Sequence, residues 1–298
     1  MERKVRLLYT EGKGRFHERE WIKPEITADE IEVQAAMTGI CRSDIDMMMG
    51  QFSLPLHMQG HEGLGIVTDV GANITDIKVG DFVATRGEPA YADYYNVRRG
   101  EYVQVPELDP AYIVEPVACA INVFNSIDFG YNPSVCILGT GFLASIVYQQ
   151  FGLNRMLGPD VIGNHNRDYW ARELAVTIDT EVRGRYDVVI DLSGKDVAIN
   201  GDILRENGQL ILAAAKHPAI TTTFDNWLWK AITVKCPSPR NAGFLDCMKS
   251  AVEQIETGKL DIDGFWTRGY NRDTEWEAAF ADGLNRNKNY NRGFFYVI

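Results

Sequence analysis

The chain has 298 residues, 45% hydrophobic and 24% charged, with a formal net charge of −11. That length suits two domains or one large one. An acidic chain without basic clusters argues against nucleic acid as a partner, and no run of about 20 apolar residues offers a membrane span. The opening MERKVRLLYTEGKG lacks an apolar stretch and a small-residue cleavage site, so no signal peptide is expected. The five cysteines (Cys41, Cys119, Cys136, Cys236 and Cys247) sit at irregular spacing, which suits a reducing cytoplasm rather than a disulfide framework.

Residues 1–110 read as β-rich. EIEVQAAMTGI (30–40), GLGIVTDVG (63–71), GDFVATRG (80–87), YADYYNV (91–97) and EYVQVP (101–106) have strand character and are separated by turn signals. Such short strands predict a partly open barrel or sandwich. Near 116 the pattern changes. Pro116 opens a helix through VACAINVFNSI, SVCILGTG (134–141) reads as a buried strand, and FLASIVYQQFG as a helix. DVIGN, a polar helix at 168–174, YDVVIDLSG, a helix at 197–204 and GQLILAAA continue the alternation, which predicts a parallel sheet covered on both faces. A helix, EWEAAFADGLNR, a loop, RNKNYNR, and a strand, GFFYVI, complete the chain. The expected division is 1–120 with 265–298, and 121–264.

GTGFLA is G-x-G-x-x-A at a strand-to-helix junction, with a second strand about twenty residues on, the context of a dinucleotide turn. Gly139 permits the turn, Gly141 lets a pyrophosphate approach the backbone, and Ala144 permits close helix packing. Thr140, Phe142 and Leu143 complete the turn and the helix N-terminus that would face the phosphates. The second strand ends in GNHNR (163–167), with no carboxylate to take a ribose 2′-hydroxyl. His165, Asn166 and Arg167 suit a 2′-phosphate instead, which favours NADP(H) over NAD(H).

TGICRSDID (38–46) carries Cys41, GHEGLGIVTDVG (60–71) carries His61 and Glu62, and VEPVACA carries Glu115. Thiolate, imidazole and carboxylate are the donors of a catalytic zinc site. Singly, Cys41 reads as a small buried hydrophobe, His61 as a structural histidine and Glu115 as a carboxylate at a helix start. Together in one chain with a nucleotide turn they point to metal chemistry.

These motifs, with VGDFVA (79–84), EPVACA, the glycine turn and YDVVIDLSG in the same order, resemble the zinc-dependent medium-chain dehydrogenases/reductases, the group of alcohol, sorbitol and threonine dehydrogenases. The resemblance covers nearly the whole chain. It implies an α/β protein with a GroES-like β-rich catalytic domain and a Rossmann doubly wound cofactor domain. It implies Cys41 and His61 as zinc ligands, with Glu62 or Glu115 as the third. Ser43 is implied as proton relay, Asp44 as the carboxylate holding the ligand histidine, and Arg42 and Ser193 as cofactor contacts. The implied reaction moves hydride between a secondary alcohol or polyol and a nicotinamide cofactor, or reduces the ketone or aldehyde, with zinc as Lewis acid.

Two departures stand out. The cysteine-rich lobe that many relatives carry is missing between VGDFVATRG and YADYYNV, so one zinc per chain is expected and no structural zinc. Asp46 stands where some relatives place a relay histidine. Phe52, Leu54, His57 and Met58 lie where relatives line the substrate pocket. A small alcohol or carbonyl is the expected partner, in the cytoplasm, with no nucleic acid or membrane and with a homo-oligomer, at its simplest a dimer, admitted. The rival expectations are a zinc-free NADPH-dependent enone or quinone reductase and a non-catalytic nucleotide sensor.

Overall fold

The computed structural model describes residues 3–51, 59–164, 167–215, 220–286 and 290–297, and of 167–169 the backbone alone. Phe52, Leu54, His57, Met58, His165, Asn166 and the side chain of Arg167 lie outside the described residues. The chain forms two compact units, Met1–Val117 with Leu245–Ile298, and Ala118–Phe244. In order the elements are β1 (Arg3–Thr10), β2 (Phe16–Lys23), β3 (Glu30–Gly39), α1 (Arg42–Met48), β4 (Gly63–Val70), β5 (Phe82–Thr85), β6 (Tyr94–Arg98), β7 (Tyr102–Gln104) and α2 (Glu115–Asn125). There follow β8 (Val135–Leu138), α3 (Phe142–Leu153), β9 (Asp160–Ile162), α4 (Arg167–Glu173), β10 (Tyr186–Asp191), α5 (Val197–Asn200), β11 (Leu204–Leu212), α6 (Asp225–Trp229) and β12 (Thr233–Lys235). The chain ends with α7 (Phe244–Glu256), β13 (Trp266–Asn271), α8 (Arg272–Asn285) and β14 (Arg292–Tyr296).

In the first unit β3 is the spine. It pairs with β4 along one edge, and along the other with β6 over its first half and β14 over its second. Ile31, Val33 and Ala35 alternate inward, as a strand period of two requires, into one core with Val67, Val83 and Tyr95. Register shifts at Glu32/Val33 and Ala35/Met37 then interrupt the ladder with β4. Bulges of this kind re-aim a strand, and Ile40 and Ile45 beyond the second one join a different core, with Phe16, Tyr91, Phe280 and Phe295. β13 and β14 run parallel, which demands a crossover, and α8 supplies it. α8 starts where the Asn271 side chain accepts from the Asp273 and Thr274 N–H groups and Glu275 reaches back to the Asn271 N–H at 2.8 Å, a reciprocal cap.

The second unit is a parallel sheet in the order β12-β11-β10-β8-β9. Cys136 and Ile137 of β8 are 0% exposed, as expected of a strand covered on both faces. Burial pushes the Cys136 thiol up to about 12, with Asp160 adding to the shift. β9 lies on one side of β8 and β10 on the other, so the strand order reverses beside β8. The carboxyl end of β8 is therefore the topological switch point where such sheets bind ligands.

Two expectations need correction. The helix expected over 197–204 stops at Asn200, because Gly201 turns extended and Leu204 already pairs with Tyr186 as the first residue of β11. The return to the first unit comes at Leu245 rather than 265, so all but the first residue of α7 belongs there. Cys119, on α2, is partly buried. Trp229 is 84% exposed and lies outside the core.

The buried Arg272 guanidinium bonds Asp93 and Asp273, and Arg6 bonds the same two carboxylates. Burial alone would raise Asp93, but Arg272 and Arg6 hold it below the usual carboxylate range. A depressed folded pKa contributes stability above the unfolded value of about 3.9 and loses it as pH falls through the folded one. The first unit should therefore weaken below about pH 4. Asp93→Asn should flatten that acid slope in denaturant titrations run from neutral to acid pH. An unchanged slope contradicts the ion-pair account.

Candidate functional site

Three chain segments converge at the end of β3. The Gly39 N–H donates to the Glu62 carbonyl at 2.9 Å and the Ile40 N–H to the Gly293 carbonyl at 3.0 Å. Cys41, one step on, is thereby set beside His61 and Glu62, which lead into β4. Cys41 also caps α1 with extended backbone. Asp44, in the first turn of α1, reaches back so that its Oδ2 accepts from the Cys41 N–H at 2.9 Å and from the Tyr91 hydroxyl at 2.7 Å.

Donor atoms of Cys41, His61 and Glu62 all lie within 4.8 Å of one another. His61 Nδ1 is 3.9 Å from Asp44 Oδ1 and its Nε2 is 3.9 Å from Glu62 Oε1. Burial works against a charge on His61, while the Cys41 sulfur, Asp44 and Glu115 outweigh it and hold the imidazole well above its usual range. Burial pushes Asp44 up, with His61 and the Tyr91 hydroxyl pulling it back. Glu62 Oε1 accepts from Arg292, whose charge is opposed by burial and held on by Glu62, Cys41 and Glu115. Glu62 Oε2 and Asp44 Oδ1 are buried with no hydrogen-bond partner among the described residues. A buried carboxylate oxygen without a donor is costly. One sulfur, one imidazole and one such oxygen within bonding reach of a common point fit a zinc ion.

Ser43 is half-buried in the first turn of α1, two residues from Cys41. Arg42 is exposed and donates through Nε to Asp46 Oδ1 at 2.7 Å. Glu115, first residue of α2, is 2% exposed and acts electrostatically on His61 and Arg292. The clustered trio contains Glu62 and not Glu115.

In the second unit Gly139 sits at φ +114°, and a Cβ there would meet Leu192 backbone at 3.0 Å. Gly141 differs: its φ is −86°, it caps α3, and a Cβ there would meet no protein atom within 4 Å. Nothing in the described chain requires Gly141 to lack a side chain, whereas an approaching pyrophosphate would. Phe142 and Ala144 are buried in the first turn of α3. Thr140 is buried, and its carbonyl accepts from the Trp170 indole at 3.1 Å. Ser193 donates its hydroxyl to Asp191 Oδ1 at 2.8 Å.

Residues 27–114 match the alcohol dehydrogenase GroES-like domain. Over 89% of this chain and 90% of its own length, D-arabitol-phosphate dehydrogenase of Enterococcus avium is 26% identical. A probable D-xylulose reductase A of Aspergillus niger is 25% identical over 87% of this chain and 88% of its own. A putative zinc-binding dehydrogenase of Sinorhizobium meliloti, solved bound to NADP, superposes with a TM-score of 0.75 at 19% identity, covering 99% of this chain and all of that one. The chain is thus similar to polyol dehydrogenases and, in fold, to zinc-binding dehydrogenases over most of its length. Its first unit carries the GroES-like domain and its second a Rossmann-type parallel sheet.

Two residues of the site carried no sequence signal. Arg292 lies 230 residues from Glu62, and Tyr91 lies in the short link between β5 and β6. Trp170, which ties α4 to the glycine turn, was equally silent, since an indole in a polar helix reads as one more core residue.

The two glycines separate fold from ligand. Gly139→Ala should destabilise the second unit by about 1–3 kcal/mol through backbone strain. Gly141→Ala should stay within about 0.5 kcal/mol of wild type and yet weaken dinucleotide binding. Thermal melts with a cofactor titration check both, and equal stability losses would contradict the distinction.

Proposed function

We propose that this chain is a zinc- and NADP(H)-dependent oxidoreductase of secondary alcohols or polyols and their ketones. The observation that carries it is the clustered Cys41–His61–Glu62 trio, partly buried at Cys41 and His61, with a buried Glu62 oxygen that has no hydrogen-bond partner among the described residues. Cys41, His61 and Glu62 would hold the zinc, with Glu115 close enough to act on His61. When bound, zinc supplies a Lewis acid that polarises the substrate oxygen and lowers its hydroxyl pKa. The nicotinamide supplies the hydride acceptor or donor.

The chain's own residues do the rest. Ser43 carries the substrate proton outward from the first turn of α1. Asp44 faces His61 Nδ1 and fixes the imidazole so that Nε2 points at the trio. Arg292 holds one Glu62 oxygen and leaves the other for the metal. At the second unit Gly139, Thr140 and Gly141 present the N-terminus of α3 to the pyrophosphate, with Phe142, Leu143 and Ala144 continuing the turn. Ser193 closes the turn after β10. His165, Asn166 and Arg167 give the preference for a 2′-phosphate. Relatives named for arabitol phosphate and xylulose favour a polyol substrate, handled in the cytoplasm. The zinc-free reductase is disfavoured because such an enzyme has no use for a thiol, an imidazole and a carboxylate clustered together.

Protein purified without added metal should carry about one zinc per chain and bind NADPH more tightly than NADH. Cys41→Ser should lose most of that zinc. Ser43→Ala should keep zinc and dinucleotide while kcat on polyols falls by about 10²-fold or more. Metal analysis, nicotinamide fluorescence and steady-state kinetics on polyols and ketones read these. A protein that stays metal-free after zinc supplementation yet reduces enones would replace this reading with the zinc-free one.

A further inference from the structure

Tyr91 lies in the short link that replaces the cysteine-rich lobe, and it is 0% exposed. Its ring meets Phe16, Phe280 and Phe295 edge-on, with centroids 6.1, 6.3 and 5.4 Å away. On another side lies Gly60, where a Cβ would come within 2.6 Å of the ring. Gly60 immediately precedes His61, and its carbonyl accepts from the Ala90 N–H at 2.8 Å. Arg272 donates to the Tyr91 carbonyl at 3.4 Å and to Asp93, so the segment is anchored from below as well.

A ring confined on all these sides cannot swing, so its hydroxyl has one place to donate, Asp44 Oδ2. That oxygen already accepts from the Cys41 N–H. Two donors saturate Oδ2 and fix the carboxylate plane, which turns Oδ1 toward His61 Nδ1. Tyr91 thus touches both halves of the trio, His61 through the bare Gly60 backbone and Cys41 through Asp44.

We propose that Tyr91 is a positioning residue for the metal centre: its hydroxyl locks the Asp44 carboxylate that orients His61 and tethers Cys41, so that the lobe-less link sets metal affinity. The proposal rests on the zinc reading above. Outer partners of this kind, when removed, cost about 10–100-fold in metal affinity or activity.

Tyr91→Phe deletes only the hydroxyl. Tyr95→Phe is the matched control, since Tyr95 is equally buried but its hydroxyl pairs with Thr85 at 2.8 Å and not with Asp44. Zinc affinity is read by chelator competition on the purified full chain, with thermal melts alongside. The expected result is about tenfold weaker zinc binding in Tyr91→Phe and wild-type affinity in Tyr95→Phe. Unchanged affinity in a folded Tyr91→Phe, or equal losses in both variants, overturns the proposal. A wild type that binds no zinc overturns the zinc reading and this proposal with it, which a selective loss in one variant cannot mimic. If Tyr91→Phe does not fold, 3-fluorotyrosine at 91 or 95 keeps ring and hydroxyl. Its fluorine resonance should then shift on zinc addition at 91 and not at 95, and no shift at 91 overturns the proposal.

Discussion

The Asp44 carboxylate is the constraint on which the first unit's architecture turns. It is 1% exposed, and a buried carboxylate must be satisfied or it destabilises the fold. The fold meets that demand at Oδ2 with hydrogen bonds from the Cys41 N–H at the end of β3 and the Tyr91 hydroxyl from the link before β6, and sets the His61 imidazole 3.9 Å from Oδ1. Satisfying one buried charge therefore brings together the residues that chemistry would need. The bulges of β3 belong to the same solution, because they precede the change of core by which Ile40 joins the aromatic cluster just before Cys41.

The second unit works by a different economy. Its central strands are buried on both faces and packed tightly, and the glycine turn at the end of β8 is held by Leu192 backbone on one side and Trp170 on the other. Within that turn, a Cβ on Gly141, unlike one on Gly139, would meet no protein atom within 4 Å. A rigid turn with one unfilled approach suits a ligand whose phosphates bind backbone N–H groups, where precision comes from the scaffold rather than from adaptable side chains.

Much of this was legible in the sequence because the decisive signals are local. A thiol beside Asp44, a G-H-E triplet and a glycine turn between a strand and a helix each occupy a few consecutive residues, and their order carries the family. The silent parts are non-local. Arg292 meets Glu62 only because β14 returns to pair with β3. Tyr91 gains its role from a ring cage built by β2, α8 and β14. The β1–β2 hairpin was missed because HEREWI is polar and mostly exposed, which hides the alternation. α7 was missed although Phe244, Cys247, Met248, Ala251 and Val252 recur at helical spacing and are buried. There the period was readable, and the unit it belongs to was not.

The central claim is that Cys41, His61 and Glu62 form one zinc shell. X-ray absorption at the zinc edge on the zinc-loaded protein tests it most directly. The account predicts a single sulfur at about 2.3 Å with nitrogen and oxygen donors at about 2.0–2.2 Å, and loss of the sulfur shell in Cys41→Ser. A shell of nitrogen and oxygen alone in the wild type, or one with several sulfurs, would contradict it.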